Sequence, residues 1–320
     1  MIGLNSKESE IVMQTVCIND GTMTRRGFVG RALVSGGVLA TGGCTCPTAS
    51  KVADSCRAKF KLGIARYTFW KIDLEKALGI MKAIDCHYLG LKEKSIRYDA
   101  SNAEISAYKA KLAAFGVETL SAGPEYYKTA EQANALFSFA KRWGMKYVSV
   151  VPYAVCPGRE DKWGAGNREE SEKMLDVLED LVREYDIKAA IHNHGPDIPT
   201  LYPTADAIWA RIKNRDRRIG ICFDMGHQLR AGLDPVAAVR KYGDRIYEVH
   251  LKNITRADSG GRAIQGPRGV IDIPAVFRAL ADVGFDGLAL IEYERDYEDN
   301  AMGLAESLGY YRGVLDALNR

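Results

Sequence analysis

An apolar run, Ala189-Ala190-Ile191, ends abruptly in His192-Asn193-His194-Gly195. The chain has five histidines, and four of them fall between positions 192 and 250: His192, His194, His227 and His250, with only His87 elsewhere. Three further β-rich runs also close on chemistry-bearing residues: "RIGICFD" on Asp224, "RIYEVHLK" on His250 and Lys252, and "GLALIEY" on Glu292. Two imidazoles and two carboxylates form a ligand set suited to Mn²⁺, Zn²⁺, Co²⁺ or Fe²⁺. A single histidine at a strand end is ordinarily a packed or solvated residue. Four ionisable groups at four successive strand ends are harder to explain by packing, since burying them costs several kcal/mol unless they are paired or hold an ion.

The elements that must position these groups alternate with a regular beat from Phe60 onward. Short β-rich runs cover 60–65, 87–93, 117–122, 146–152, 187–193, 218–224, 245–252 and 287–293. Amphipathic stretches predict helices over 73–84, 102–115, 129–143, 168–185, 204–213, 234–241, 274–283 and 302–318. This is the order and size of a single-domain α/β fold, the (β/α)8 TIM barrel, over residues 58–320. A doubly wound open sheet would carry a Gly-rich phosphate turn after its first strand; here that strand ends in "ARYTFWKID", without one. Side chains alternate along a strand, so Ala190, His192 and His194 share a face. So do Gly220, Cys222 and Asp224, then Glu248, His250 and Lys252, then Leu288, Leu290 and Glu292. With these faces inward, the polar residues gather at the C-terminal mouth, where such barrels carry their active sites.

The bulk properties exclude several classes. The net charge is +3, with 44 Lys and Arg against 41 acids, and no basic run stands alone, so no nucleic-acid partner is expected. Seven cysteines lie scattered without a CxxC pair, which argues against a cysteine zinc site or a disulfide framework. Residues 1–57 read as an N-terminal extension rather than part of the fold. Thr24-Arg25-Arg26-Gly27-Phe28-Val29 precedes a Gly/Ala/Val run too short and too Gly-rich to span a bilayer, the pattern of a twin-arginine export signal. The expected location is therefore periplasmic. Cys44 follows small residues as in a lipoprotein processing site, although Thr41 stands where Leu is usual, so a lipid anchor at Cys44 is a second expectation.

Residues 60–318 resemble the xylose-isomerase-like TIM barrels, the sugar phosphate isomerase/epimerase superfamily that also contains endonuclease IV. The resemblance rests on "FDMGH", "VHLKN", "GVIDIPAVFRAL" and "GFDGLALIEYE", with "LGLKE" in the second strand. It implies a divalent metal, Mn²⁺ first, held by Asp224, His250, Glu292 and the residue ending the fifth strand. That residue is usually Glu and is His192 here. Glu93, at the end of "LGLKE", is implied to line the pocket. Endonuclease IV relatives hold a three-metal cluster that five histidines, one of them misplaced, cannot supply.

What the resemblance implies chemically is proton abstraction next to a carbonyl, through an enediolate, on a free sugar or sugar derivative. The first reading is a sugar isomerase or epimerase. The alternative is a lyase or dehydratase eliminating a leaving group from a 3-keto sugar or 3-keto-glycoside; a non-catalytic sugar-binding barrel is a third. His192 in place of a carboxylate weakens a symmetric two-carboxylate epimerase and favours elimination, which needs one strong base. The expected catalytic residues are Glu292, His192 and Lys252, the last for a developing oxyanion or, equally, in a salt bridge with Glu248 or Glu292. Glu93, His194, His227, Tyr67 and Tyr153 are the expected substrate contacts, with Trp70 and Trp163 adding aromatic wall; for His227, which follows Asp224 by three residues, the alternative is a group beside the metal that supports its ligands. The partner is a small carbohydrate, and a homo-oligomer is compatible with this reading.

Overall fold

The computed structural model describes residues 58–152, 168–196 and 202–320. The segment read as an export signal, Cys44, Tyr153 and Trp163 lie outside the described residues. Eight parallel strands run around a barrel: β1 (Lys61–Ala65), β2 (Leu89–Gly90), β3 (Ser121–Tyr127), β4 (Tyr147–Pro152), β5 (Lys188–His192), β6 (Ile219–Asp224), β7 (Ile246–Leu251) and, after a small hairpin, β10 (Leu288–Ile291). The ladder runs β2-β1-β10-β7-β6-β5-β4-β3. Between β2 and β3 the barrel is nearly closed by isolated bridges rather than a regular ladder, with Leu89 N–H on Glu118 O at 3.0 Å and Leu91 N–H on Ser121 O at 3.1 Å.

Helices return the chain on the outside: α1 (Leu74–Ala83), α2 (Asn102–Ala114), α3 (Ala130–Trp143), α4 (Arg168–Tyr185), α5 (Ala205–Ile212), α7 (Pro235–Tyr242), α8 (Ile273–Asp282) and α9 (Ala301–Leu318). Their starts are written in the sequence. Asp73, Ser101, Thr129, Thr204, Asp234 and Asp272 each accept a hydrogen bond from a backbone N–H of the first turn. That satisfies a donor the helix itself cannot. The apolar faces then pack on the strands, as in the Phe60, Phe277 and Phe285 ring cluster, with centroids 5.0 and 5.8 Å apart.

The barrel interior is stratified. Its lower part is apolar: Ala65, Tyr147, Leu288 and Leu290 are buried together. Leu290 fits because Gly63 and Gly90 face it; a Cβ there would come within 2.8 and 2.6 Å of its methyl carbons. Beside this layer, paired in register with Leu288, Glu248 is buried and accepts a hydrogen bond from Ser121 Oγ at 2.6 Å and another from Ser149 Oγ. The metal-type ligands lie toward the C-terminal ends of their strands, two residues beyond Glu248 in the case of His250.

Three features differ from the sequence expectation. The third strand lies at 121–127, not 117–122. Gly123-Pro124 reads as a stop, yet a register shift between Ala122 and Glu125 carries the strand through it. Gly123 has φ +119°, and a Cβ would come 2.0 Å from Ser149 O, so only glycine fits. The second difference is a six-residue helix, α6 (Met225–Arg230), directly after β6. The third is a hairpin of β8 (Asn253–Ile254) and β9 (Ala263–Ile264) over the barrel mouth. Among the described residues no helix is long and apolar enough to cross a membrane.

Candidate metal centre

His192, Asp224, His250 and Glu292 come together as the alternation of the strands requires. All four are buried, and each offers a ligand atom such that the set lies within 4.8 Å of one another. Asn193, between the two histidines, ties the ends of β5 and β6 together. Its Nδ2 donates to Asp224 O at 2.9 Å, and its Oδ1 accepts from Asp224 N–H at 2.8 Å. Asp224 serves two sides: Oδ1 accepts from His227 N–H at 2.8 Å and caps α6, while Oδ2 faces the cluster. His250 Nδ1 lies 2.9 Å from Glu292 Oε2, and its Nε2 lies 3.4 Å from Glu248 Oε1.

The Lys252 ammonium, two residues beyond His250, sits inside the acidic group. It is 3.2 Å from both Asp224 Oδ2 and Glu292 Oε2 and 3.1 Å from Glu294 Oε2. His227 completes its surroundings, with Nε2 at 3.0 Å. His227 Nδ1 lies 2.7 Å from Gly195 O, a pure acceptor, so Nδ1 carries the proton and Nε2 accepts from the ammonium. Gly226 leaves room for this: a Cβ there would stand 2.6 Å from Lys252 O.

Charges at the site follow from burial and neighbours. Burial pushes the pKa values of His192 and His227 down, and that of His194 down to about 3, with nearby cations adding to the last two. These three imidazoles are neutral near pH 7 and have lone pairs to offer. Burial alone would raise Asp224 and Glu292, but Lys252 and neighbouring histidines hold both below the usual carboxylate range. Glu294 shifts upward, through burial and the charge of Glu292 against the pull of Lys252.

The residues fit a divalent ion. Both ring nitrogens of His192 are buried without a hydrogen-bond partner. Such atoms are costly to leave bare. Cys222 makes an alternative set with His192 and His250, but burial pushes its thiol up to about 12, so it is no thiolate. Among the described residues the mixed imidazole–carboxylate set is therefore the better candidate metal site.

A cavity of about 420 Å³ opens above His192 and Glu292. Tyr67, expected from the sequence, lines it beside Trp70, their rings 5.2 Å apart, and His194 lines it too. Glu93 is a correction: it is exposed and off the cavity lining, and Lys92 lines it instead. Gly90 faces inward, so two-residue alternation turns Lys92 in and Glu93 out. His227 is buried off this lining and holds Lys252, which is the supporting role expected as the alternative to a substrate contact. Lys252 pairs with Glu292 as one alternative foresaw, but not with Glu248, which is taken by Ser121 and Ser149. Glu294 and Glu125 also line the cavity and were missed. Glu294 was within reach of the alternation rule, two residues beyond Glu292. Glu125 was hidden by the bulge in β3.

Barrel and buried mixed-ligand site together define a class. The sequence matches the family described as xylose isomerase-like TIM barrel over residues 73–314, and the chain belongs to that family. It is 28% identical over 154 residues to the rhizopine catabolism protein MocC of Rhizobium meliloti, covering 43% of this chain and 45% of that protein. It is 30% identical over 141 residues to the inosose dehydratase of Clostridium tetani, covering 39% and 46%. The matched segment thus spans under half the length of either relative. The solved structure of the IolI protein with a binding zinc atom superposes with TM-score 0.59 at 17% identity, covering 81% of this chain and 98% of that one.

Proposed function

We propose that this protein is a divalent-metal-dependent enzyme that removes a proton next to the carbonyl of a sugar or polyol-derived ketone and then eliminates water or another β-leaving group. The observation that carries the reading is the buried His192, Asp224, His250 and Glu292 set beneath a cavity of about 420 Å³. Asp224, His250, Glu292 and His192 would hold the ion, whose identity is open among Mn²⁺, Zn²⁺, Co²⁺ and Fe²⁺. When bound, the ion would withdraw charge from the carbonyl oxygen and a neighbouring hydroxyl.

The protein groups do the rest. Glu292 takes the C–H proton, leaving an enediolate. The Lys252 ammonium, held by the Asp224 and Glu292 carboxylates and His227 with the Glu294 carboxyl beside it, supplies fixed positive charge toward the developing oxyanion. Glu294, the second acid on the cavity wall, protonates the leaving oxygen as the C–O bond breaks. Neutral His194 binds a hydroxyl, and Tyr67 and Trp70 shield one side from water. Relatives named inosose dehydratase and the imidazole at position 192 both support elimination.

The second reading, isomerisation or epimerisation, is favoured by Glu294. A second carboxyl on the same cavity can return the proton to carbon. Incubation of metal-loaded protein in D₂O with an inosose, 3-keto-glycosides, aldoses and ketoses separates the two. Elimination products are expected. Deuterium retained in an isomeric sugar would replace that reading with the second, and neither outcome in any metal would sink both.

A further inference from the structure

We infer that Trp70, with Tyr67 beside it, is an outer subsite that stacks a second ring carried by the substrate, one that presents an apolar face. The substrate class is then a two-ring glycoside rather than a free monosaccharide. The inference deepens the proposed function and rests on it for the word substrate. One cavity joins both ends: His192 and Glu292, which are buried, line it together with Trp70, which is 41% exposed. Its volume of about 420 Å³ falls among the pockets of roughly 300–1,000 Å³ that take drug-sized ligands. Trp70 is the only exposed aromatic residue among the described residues. An aryl aglycone and a second sugar ring share the chemistry that such an indole recognises.

A single exposed apolar side chain ordinarily needs no explanation, but the loop that carries Trp70 is built to hold it out. That loop follows β1 as a 3-10 turn over Arg66–Phe69. The buried Arg66 guanidinium donates to Phe69 O and, at 3.0 Å, to Ile72 O, carbonyls that flank Trp70 in the chain. Its Nε donates to Ser95 Oγ at 3.0 Å. Thr68 ties the same loop to β10. Its Oγ1 donates to Ile291 O at 3.1 Å and accepts from Tyr293 N–H at 2.9 Å, the residues on either side of Glu292. Asn300 Nδ2 adds a bond to Thr68 O at 2.7 Å. The backbone carrying the indole is therefore fixed relative to the proposed base. Around the ring, Lys94 Nζ lies 3.9 Å from its centroid, and the Tyr67 ring lies 5.2 Å away, tilted by 38°. An aromatic side chain held in place before binding offers contact area at little ordering cost. A phenyl ring stacks on it, and a pyranose packs its C–H face against it.

The test uses the full chain loaded with divalent metal. Glucose, the α- and β-phenyl glucosides, maltose and cellobiose are titrated calorimetrically. At least one two-ring probe is expected to bind about tenfold or more tightly than glucose. Trp70→Ala should bring the ratio of two-ring to glucose affinity toward one, while Trp70→Phe should keep most of it. Preference for a phenyl glucoside over the disaccharides identifies the aryl aglycone, and the reverse order identifies a second sugar ring. Equal or undetectable binding of all probes by the wild type, or a ratio unchanged in Trp70→Ala, overturns the subsite. Ring-selective binding without elimination or deuterium exchange on any substrate keeps the subsite and sinks the proposed chemistry. Elimination from an inosose without ring selectivity does the reverse.

Discussion

Lys252→Met keeps the side-chain stem and deletes the charge at the centre of the site. In the wild type that charge lies 3.2 Å from Asp224 Oδ2, 3.2 Å from Glu292 Oε2 and 3.1 Å from Glu294 Oε2, with 3% of the lysine side chain exposed. At an effective dielectric of about 20, each such contact is worth roughly 5 kcal/mol of attraction. Dehydration of the ammonium cancels much of this, and removing one partner of a buried ion cluster costs about 3–5 kcal/mol. The metal-free variant is expected to lose that much unfolding free energy, because three acids then face one another. A divalent ion on Asp224 and Glu292 supplies the missing charge, so saturating metal should restore most of the loss. By linkage the variant must then bind metal more tightly, and recovery of about 3 kcal/mol corresponds to roughly a hundredfold lower Kd. Turnover moves the other way: losing the charge that meets the oxyanion lowers kcat about 10²–10³-fold. Urea unfolding with and without metal, competition titration against a chelating dye, and kcat measure the three quantities. Equal destabilisation in both metal states, or weaker metal binding by the variant, would refute the electrostatic argument.

Asp224→Asn and His250→Ala should each abolish stoichiometric metal by elemental analysis and lower kcat/KM at least about 10³-fold; a variant that retains metal and activity removes that residue from the ligand set. Glu248→Gln keeps the shape but removes the negative charge 3.4 Å from His250 Nε2. Metal affinity should fall about tenfold, and unchanged affinity with reduced stability would mark Glu248 as purely structural. Away from the site, the Asp206 carboxylate accepts from Lys241 Nζ at 2.8 Å and from Tyr242 OH at 2.5 Å, which lowers its pKa. A depressed folded-state pKa contributes stability above the unfolded value of about 3.9 and loses it as pH falls through the folded one. Urea midpoints should therefore show Asp206→Asn less stable than wild type by the same margin at pH 7 and pH 5. The gap should narrow below about pH 4, and a margin independent of pH contradicts the assignment.

Much of this architecture is legible locally. Helix starts depend on a capping side chain three or fewer residues from the donor it satisfies, so 73, 101, 129 and 204 mark the turns without tertiary information. Strand parity is equally local. It placed His192, Asp224, His250 and Glu292 on inward faces, and four strand ends at one mouth then had to converge. Read strictly, the same parity would have found Glu294 and exchanged Glu93 for Lys92.

What the chain order could not decide depends on neighbours distant in sequence. The strand through Gly123-Pro124 exists because Ser149 of the adjacent strand leaves room only for a glycine, a contact between separate β–α units. The role of His227 turns on Gly195 O and Lys252, which sequence distance conceals. The charge state of Lys252 and its carboxylates is a property of the group, since each pKa shift comes from burial and from partners on other strands. Residue types and two-residue alternation determined which groups face inward. Only the closed barrel decided which of them touch, because distances between strands are set by packing and not by order along the chain.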